Sequence, residues 1–85
     1  MKEEKIGIVS HYFSNIGVAA VVLEGELAVG DTIHIKGHTT DFVQKIESIQ
    51  IENKNVEWAK EADNIGIKVK EHAREHDVVY KVVEE

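Results

Sequence analysis

The sequence predicts an all-β domain of short antiparallel strands, and three observations lead to that class. Apolar and polar residues alternate over short runs, which is the two-residue period of a strand with one buried face. Turn-forming pairs such as Ser14-Asn15 and Gly30-Asp31 separate the runs. The 85 residues suffice for one domain, and no helices are expected that could cover a parallel sheet. Closure into a small barrel would then hide the sheet edges economically.

The first half of the chain contains the clearest strand signals. Residues 5–13 include two isoleucines and a β-branched valine, which favours a first strand. Residues 16–24 are apolar and rich in valine, as expected of a strand buried on both faces. Residues 27–29 lead into a Gly-Asp turn, and residues 32–36 then alternate cleanly, with two isoleucines on one face.

The second half is less regular. Residues 42–51 fit either a helix or a strand with a bulge near Ser48, and the residues themselves leave both open. Residues 56–62 are polar and are expected to form a loop with a helical turn. Residues 65–69 alternate as a half-buried strand, and residues 78–83 are the last strand. The expected core draws on both halves and includes Ile33, Ile35, Ile65, Ile67, Val69 and Val82.

Composition narrows the possible functions. With no cysteine, the chain has no disulfide, thiolate metal site or cysteine nucleophile. Its net charge of −6 makes it a poor non-specific ligand for nucleic acid or anionic lipid. The longest apolar stretch, residues 16–23, is short of the ~20 residues of a membrane span, and no secretory signal is recognisable. We therefore expect a cytoplasmic binding module that is not an enzyme and needs no cofactor.

Two segments resemble a known family. GELAVGDTIHIKG (residues 25–37) resembles the hairpin G-x-L-x-x-G-D-x-V/I-x-V/I-x-G in the second domain of translational GTPases such as elongation factor Tu. AKEADNIGI (residues 59–67) resembles that domain's later segment A-x-x-G-D-N-V-G-I/L. The resemblance covers roughly residues 5–83. It implies a six-stranded antiparallel β-barrel over residues 1–85, with residues 1–4 and 84–85 frayed, and a strand rather than a helix for residues 42–51.

Departures from that pattern bear on function. The sequence has no G-x-x-x-x-G-K-S/T loop to cradle phosphates, so GTP binding by this chain alone is not expected. Ala62 replaces the usual glycine of the second segment, and no Arg-Gly precedes the final strand. Instead Asp77 runs directly into that strand, which is similar to the barrel at the C-terminus of collagenase-like peptidases. The resemblance thus implies the fold, and contacts with RNA or the ribosome only as a hypothesis.

The surface pattern suggests a binding face. If the isoleucines of the strands over residues 32–36 and 65–69 point inward, basic side chains of the same regions point outward in two rows. The predicted anion-binding face consists of His34, Lys36, His38, Lys68, Lys70, His72 and Arg74. Exposed aromatic residues could contact a partner, namely Tyr12, Phe13 and Trp58. A ring near Tyr12 could instead cap one end of the core, and Trp58 could cover the other.

Catalytic and metal chemistry have weaker signals. The members of the His34–His38 and His72–His76 pairs are four residues apart, but on a strand that spacing is about 13 Å, too far for one ion. A cross-strand metal site stays open. Ser10-His11 lacks the strained turn of a hydrolase nucleophile. The expected function is a non-catalytic interaction module for a protein partner or for RNA and the ribosome; the alternative is a detached accessory subunit of a peptidase-like enzyme.

Overall fold

The computed structural model describes residues 2–83, which form ten β-strands and no helix. In chain order the strands are β1 (Lys2–Phe13), β2 (Val18–Leu23), β3 (Leu27–Ala28), β4 (Thr32–Lys36), β5 (Asp41–Lys45), β6 (Ile49–Ile51), β7 (Lys54–Val56), β8 (Trp58–Ala59), β9 (Asn64–Lys68) and β10 (Val78–Val83). No helix that could cross a membrane occurs in this part of the chain.

The strands form two antiparallel sheets. Eight strands pair in the order β5-β4-β10-β1-β2-β9-β6-β7, and β3 pairs with β8 in a separate two-stranded sheet. The all-β, antiparallel prediction is confirmed. The prediction of six strands is wrong, and within residues 2–83 no pairing joins the end strands β5 and β7 into a closed barrel. The difference arises where the sequence was least regular, between residues 42 and 59.

Residues 42–51 form two strands, so the helix alternative is wrong. β5 pairs with β4 at one end of the sheet order, and β6 pairs with β9 near the other end. Ile46 lies between them and is buried. Its amide donates to the carbonyl oxygen of Asp31 at 2.8 Å, and its carbonyl oxygen accepts from the Gly30 amide at 2.9 Å. The change of parity near Ser48 therefore marks a crossing between the two ends of the sheet.

The polar residues that follow are also extended. Glu52 and Asn53 both have positive φ, which is the geometry of a type I′ connection between two paired strands. The expected helical turn in residues 56–62 is wrong, because Trp58 and Ala59 pair with Ala28 and Leu27. Local polarity is compatible with either outcome, and the partner strand far away in the sequence decides it.

The core lies on the inward face of these strands. Ile33, Ile35, Ile65, Ile67 and Val69 are buried in one cluster, as predicted. Val82 is only half-buried and does not belong to it. The pairing of Val79 with Ile35 turns Val79 inward, and residue 82 then has the opposite parity. Val79 is thus the valine of β10 that is buried in the core.

The described ends of the chain pair with each other. Residues 2–4, expected to be frayed, lie in β1, where Lys2 pairs with Val83 and Glu4 with Lys81. Met1, Glu84 and Glu85 lie outside the described residues.

Replacement of Ile67 by alanine should destabilise the fold strongly. The side chain is 1% exposed at the centre of the core, so truncation leaves a cavity. We expect a loss of about 2–5 kcal/mol in the free energy of unfolding, and about 0.5–1.5 kcal/mol for the control Ile67→Val. Urea unfolding followed by circular dichroism measures both. A loss below about 0.5 kcal/mol for Ile67→Ala would contradict this core.

Replacement of Ala62 by glycine should stabilise the fold. Ala62 has φ of +76°, a conformation in which its Cβ is strained. Relief of about 1–2 kcal/mol of strain exceeds the added entropy of the unfolded chain, about 0.4–1 kcal/mol, so unfolding should cost up to about 1 kcal/mol more. The matched control is Glu61→Gly, where φ is not positive and only the entropy penalty applies. Equal destabilisation by both changes would refute the argument.

Candidate functional site

A surface cleft opens between the end of β1 and the segment 72–75. Its volume is about 410 Å³. The side chains that line it combine aromatic, cationic and carboxylate groups and include His11, Tyr12, Ser14, His72, Arg74 and Glu75. We call it the aromatic cleft.

The wall on β1 follows from strand alternation and a tight turn. Tyr12 turns inward and packs against the core, while His11 and Phe13 are exposed on the other side. The rings of His11 and Phe13 meet edge to face, with centroids 4.4 Å apart. The turn after β1 is closed by the Gly17 amide, which donates to the Phe13 carbonyl oxygen at 2.9 Å and has positive φ. Tyr12 therefore caps the core, which is one of the two alternatives that the sequence left open for this residue.

The opposite wall is tied to β1 by backbone hydrogen bonds. The Val9 amide donates to the Asp77 carbonyl oxygen, and the His76 amide donates to the Val9 carbonyl oxygen, both at 2.8 Å. The buried Asp77 carboxylate accepts from the Arg74 amide, also at 2.8 Å. These bonds hold the segment that carries His72 and Arg74 at a defined distance from the end of β1.

The two walls contact each other through their side chains. The rings of Tyr12 and His72 lie 4.5 Å apart between centroids. His11 Nδ1 lies 3.1 Å from Glu75 Oε1, with both side chains more than half exposed. The structure thus brings together Tyr12, His72 and Arg74, which the sequence analysis had placed in two separate groups, and Phe13 lies beside this cleft against His11.

The cleft does not assemble a nucleophile. A register shift between Val9 and His11 places Ser10 at a β-bulge, and its hydroxyl donates to the Ala20 carbonyl oxygen at 3.2 Å. In residues 2–83, no serine hydroxyl is hydrogen-bonded to a histidine. The same residues contain no group of three or more His, Cys, Asp or Glu side chains suited to hold a metal ion.

The remaining predicted cations lie elsewhere. Lys68 and Lys70 are exposed on β9 and just beyond it, whereas His34 and Lys36 belong to β4, with the exposed His38 following. β4 and β9 are not neighbours in the sheet. The seven predicted residues are therefore distributed over three places rather than forming two rows of one face.

His34 is engaged by two carboxylates. Its Nδ1 is 2.8 Å from Glu3 Oε2, and its Nε2 is hydrogen-bonded to Asp41 Oδ1. The bond to Asp41, followed by the bond to Glu3, raises the pKa of His34 above its ordinary value of 6.5. The same bond lowers the pKa of Asp41. Both ring nitrogens of His34 are therefore engaged within the molecule, where they link β4 to Glu3 of β1 and Asp41 of β5.

Trp58 does not cover the core. Its side chain is 52% exposed, and its neighbour Ala59 is buried instead. The pairing of Trp58 with Ala28 directs the tryptophan outward, so the expectation that it covers one end of the core is wrong. It remains a predicted partner contact, outside the aromatic cleft.

A second cleft, of about 400 Å³, lies between β5 and residues 68–70. It is lined by Gln44, Lys45, Glu47, Lys68, Val69 and Lys70, and we call it the lysine cleft. Lys45 was missed because residues 42–51 had no assigned parity. The alternation of buried Phe42 and Gln44 with exposed Val43 and Lys45 supplies the missing signal.

The chain is similar in sequence to part of a protease and part of a collagenase. The chain is 40% identical over 81 residues to an uncharacterized protease of Methanocaldococcus jannaschii, an alignment that covers 94% of this chain. It is 46% identical over 72 residues to a collagenase of Porphyromonas gingivalis, covering 82% of this chain. Each match spans 20% of the relative, so the chain is about a fifth of the length of these proteins. No protein-family model matches the chain.

Solved structures similar to this chain also come from a peptidase-like protein. The C-terminal domain of a putative U32 peptidase from Geobacillus thermoleovorans superimposes with a TM-score of 0.88 at 25% identity, covering 94% of this chain and 93% of that domain. Its selenomethionine variant gives a TM-score of 0.85, covering 89% and 96%. The homologues are thus the C-terminal domain of a U32 peptidase and collagenase-like proteins. This agrees with the peptidase part of the sequence resemblance, whereas the elongation factor Tu assignment is not shown.

The stability of the fold should fall as the pH rises above 6.5. The pKa of His34 is raised on folding, so its contribution is fully present below pH 6.5 and is lost as the pH rises through the raised value. The lowered pKa of Asp41 adds a contribution that is lost on acidification below pH 3.8. Urea midpoints at about pH 6 and about pH 9 measure the change. His34→Gln should remove most of it, whereas the exposed control His38→Gln should retain it; the same pH dependence in His34→Gln would exclude His34.

Proposed function

We propose that the chain is a non-catalytic accessory domain or detached subunit of a peptidase-like protein, and that it recognises polypeptide through the aromatic cleft. The observation that carries the proposal is the match over nearly the whole length of a peptidase C-terminal domain. The same chain corresponds to only a fifth of its protease relatives. A match limited to this domain supports an accessory role beside a catalytic domain rather than a catalytic role of its own.

The composition of the aromatic cleft suits a peptide. Phe13 is 42% exposed beside His11, and Tyr12 and His72 form a second ring pair. Tyrosine and arginine are enriched among the residues that dominate protein-protein binding energy. Arg74 supplies a planar donor for a carboxylate or a backbone carbonyl at the same cleft. Rigid rings beside a cation can therefore hold one apolar side chain and one acceptor of an extended segment.

The geometry gives no support to catalysis by these residues. His11 and Glu75 contact each other in water, where such a pair contributes little. The Ser10 hydroxyl is turned toward the Ala20 carbonyl oxygen rather than toward a substrate position. Peptide bond cleavage needs an activated nucleophile and a base within hydrogen-bond reach, which this cleft does not assemble from the described residues.

The RNA and ribosome hypothesis competes with this proposal. Histidine, tyrosine and arginine can also stack on bases. The net charge of −6 opposes association with a polyanion, however, and the relatives reported above are protease-like. Polypeptide is therefore the better supported ligand, and RNA is the alternative for the test.

Fluorescence anisotropy should separate the two ligands. The probes are a labelled peptide from unfolded collagen and a labelled single-stranded RNA of similar length. Arg74→Ala, within the cleft, and Phe13→Ala, which removes the ring packed against the cleft residue His11, should each weaken peptide binding by about fivefold or more, since the loss of a contact that dominates binding costs over ~1 kcal/mol. The matched control Trp58→Ala removes an exposed aromatic ring outside the cleft and should leave the affinity unchanged.

Three results would contradict the proposal. Equal affinities for wild type, Phe13→Ala and Arg74→Ala would exclude the aromatic cleft. Tighter binding of the RNA than of the peptide would favour the nucleic-acid hypothesis. Cleavage of the labelled peptide by the isolated chain, followed by mass spectrometry, would show that the chain is catalytic.

A further inference from the structure

The sheet is interrupted between β5 and the residues that follow β9. β5 is the first strand in the sheet order, so only β4 pairs with it. The pairing of β6 with β9 ends at Ile67, which leaves Lys68 and the next two residues without β6 as a neighbour. On these sides the backbone groups of β5 and of residues 68–70 lack a partner strand.

Gln44 spans the interruption with its side chain. Its Nε2 donates to the Lys68 carbonyl oxygen at 2.8 Å, and its Oε1 accepts from the Lys70 amide at 2.9 Å. This buried side-chain amide offers one donor and one acceptor to the segment, as a peptide group of a neighbouring strand would. Direct strand pairing brings backbones to about 4.8 Å. Here a side chain bridges instead, and the lysine cleft opens at this point.

Three lysines converge on this cleft. Lys45, Lys68 and Lys70 are all exposed. Within residues 2–83, none of their ammonium groups lies within 4.0 Å of a carboxylate, although Glu47 lines the same cleft. Gln44 bonds only to the backbone atoms of residues 68 and 70, so these bonds do not require a lysine side chain at either position. On a chain of net charge −6, they form a local positive site.

We propose that the lysine cleft binds an acidic polypeptide segment in extended conformation, laid along the edge of β5. An added strand gains main-chain hydrogen bonds at a sheet edge, and side-chain pockets provide its specificity. Carboxylates at alternate positions would meet the lysines, and apolar ones would face Val69. The proposal rests on the proposed function in taking polypeptide as the ligand, and it assigns a second contact site to it.

The lining favours a peptide over nucleic acid. Single-stranded nucleic acids are held by aromatic side chains on which the bases stack, together with a positive groove along the backbone. The lysine cleft is lined by lysines, Gln44, Glu47 and Val69, and none of these is aromatic. RNA binding at this cleft would therefore lack the stacking contribution and would face the repulsion of an acidic chain.

The test is a binding titration with an alternating Glu-Val octapeptide at low salt. The double variant Lys68→Glu, Lys70→Glu should weaken binding by more than tenfold, because it reverses two of the three positive charges at the cleft. The control Lys36→Glu, Lys54→Glu makes the same charge change at exposed positions outside the cleft and should stay within about threefold. A Lys-Val octapeptide should not bind the wild type.

A second measurement keeps the test independent of variant folding. Amide NMR of the wild-type chain with the Glu-Val peptide should show shifts at Lys45 and at residues 68–70. Equal weakening in both double variants, shifts confined to the aromatic cleft, or tighter binding of an RNA oligonucleotide would each overturn the proposal. Phe13→Ala should leave this binding intact, so failure of the aromatic cleft and failure of the lysine cleft are distinguishable.

Discussion

The path of β1 through the sheet is the constraint on which the sheet and the aromatic cleft depend. This twelve-residue strand pairs with β10 on one side and with β2 on the other, and each pairing contains a register shift. Bulges bend a strand and increase its twist, which lets one long strand serve two parts of a curved sheet. Gly7 lies at the first shift, where a Cβ would come within 2.8 Å of the Val22 carbonyl oxygen. Any larger residue there would push β2 away from the core.

The buried residue Asp77 links β1 to the loop that lines the aromatic cleft. Asp77 is 4% exposed, and its side chain occupies the space where a Cβ on Gly37 would lie, 1.8 Å from Asp77 Oδ1. Its Oδ2 accepts from the Arg74 amide, and its backbone bonds to Val9. Asp77 thus joins the end of β4, the central strand and the loop that carries Arg74. The loop wall is fixed by the fold, so a ligand would not have to order it, which lowers the entropy cost of binding.

The sequence alone was sufficient where local periodicity and turn chemistry decide the structure. Residues 32–36 and 65–69 alternate, and the structure buries the isoleucines that this predicts. It was insufficient where a distant partner decides. Residues 54–56 and 58–59 are strands because β6 and β3 pair with them, and the buried position of Val79 follows from its register with Ile35. The alternation of residues along a strand shows which side chains point outward but not which strands become neighbours. Lys45 was therefore overlooked, and the two basic rows were assumed to form one face.

Some charged side chains in residues 2–83 form ion pairs with one another, and others form none. His34 lies between Glu3 and Asp41 and connects β4 with strands on either side, so its charge is balanced within the molecule. Lys81 contacts Asp31, and Lys5 contacts Glu24. At positions 68 and 70, by contrast, Gln44 holds the backbone alone. Clustered like charges repel one another and add no stability. Structural requirements therefore account for His34, whereas the bonds of the fold do not require lysine at positions 68 and 70, and it is for these lysines that we propose a ligand of opposite charge.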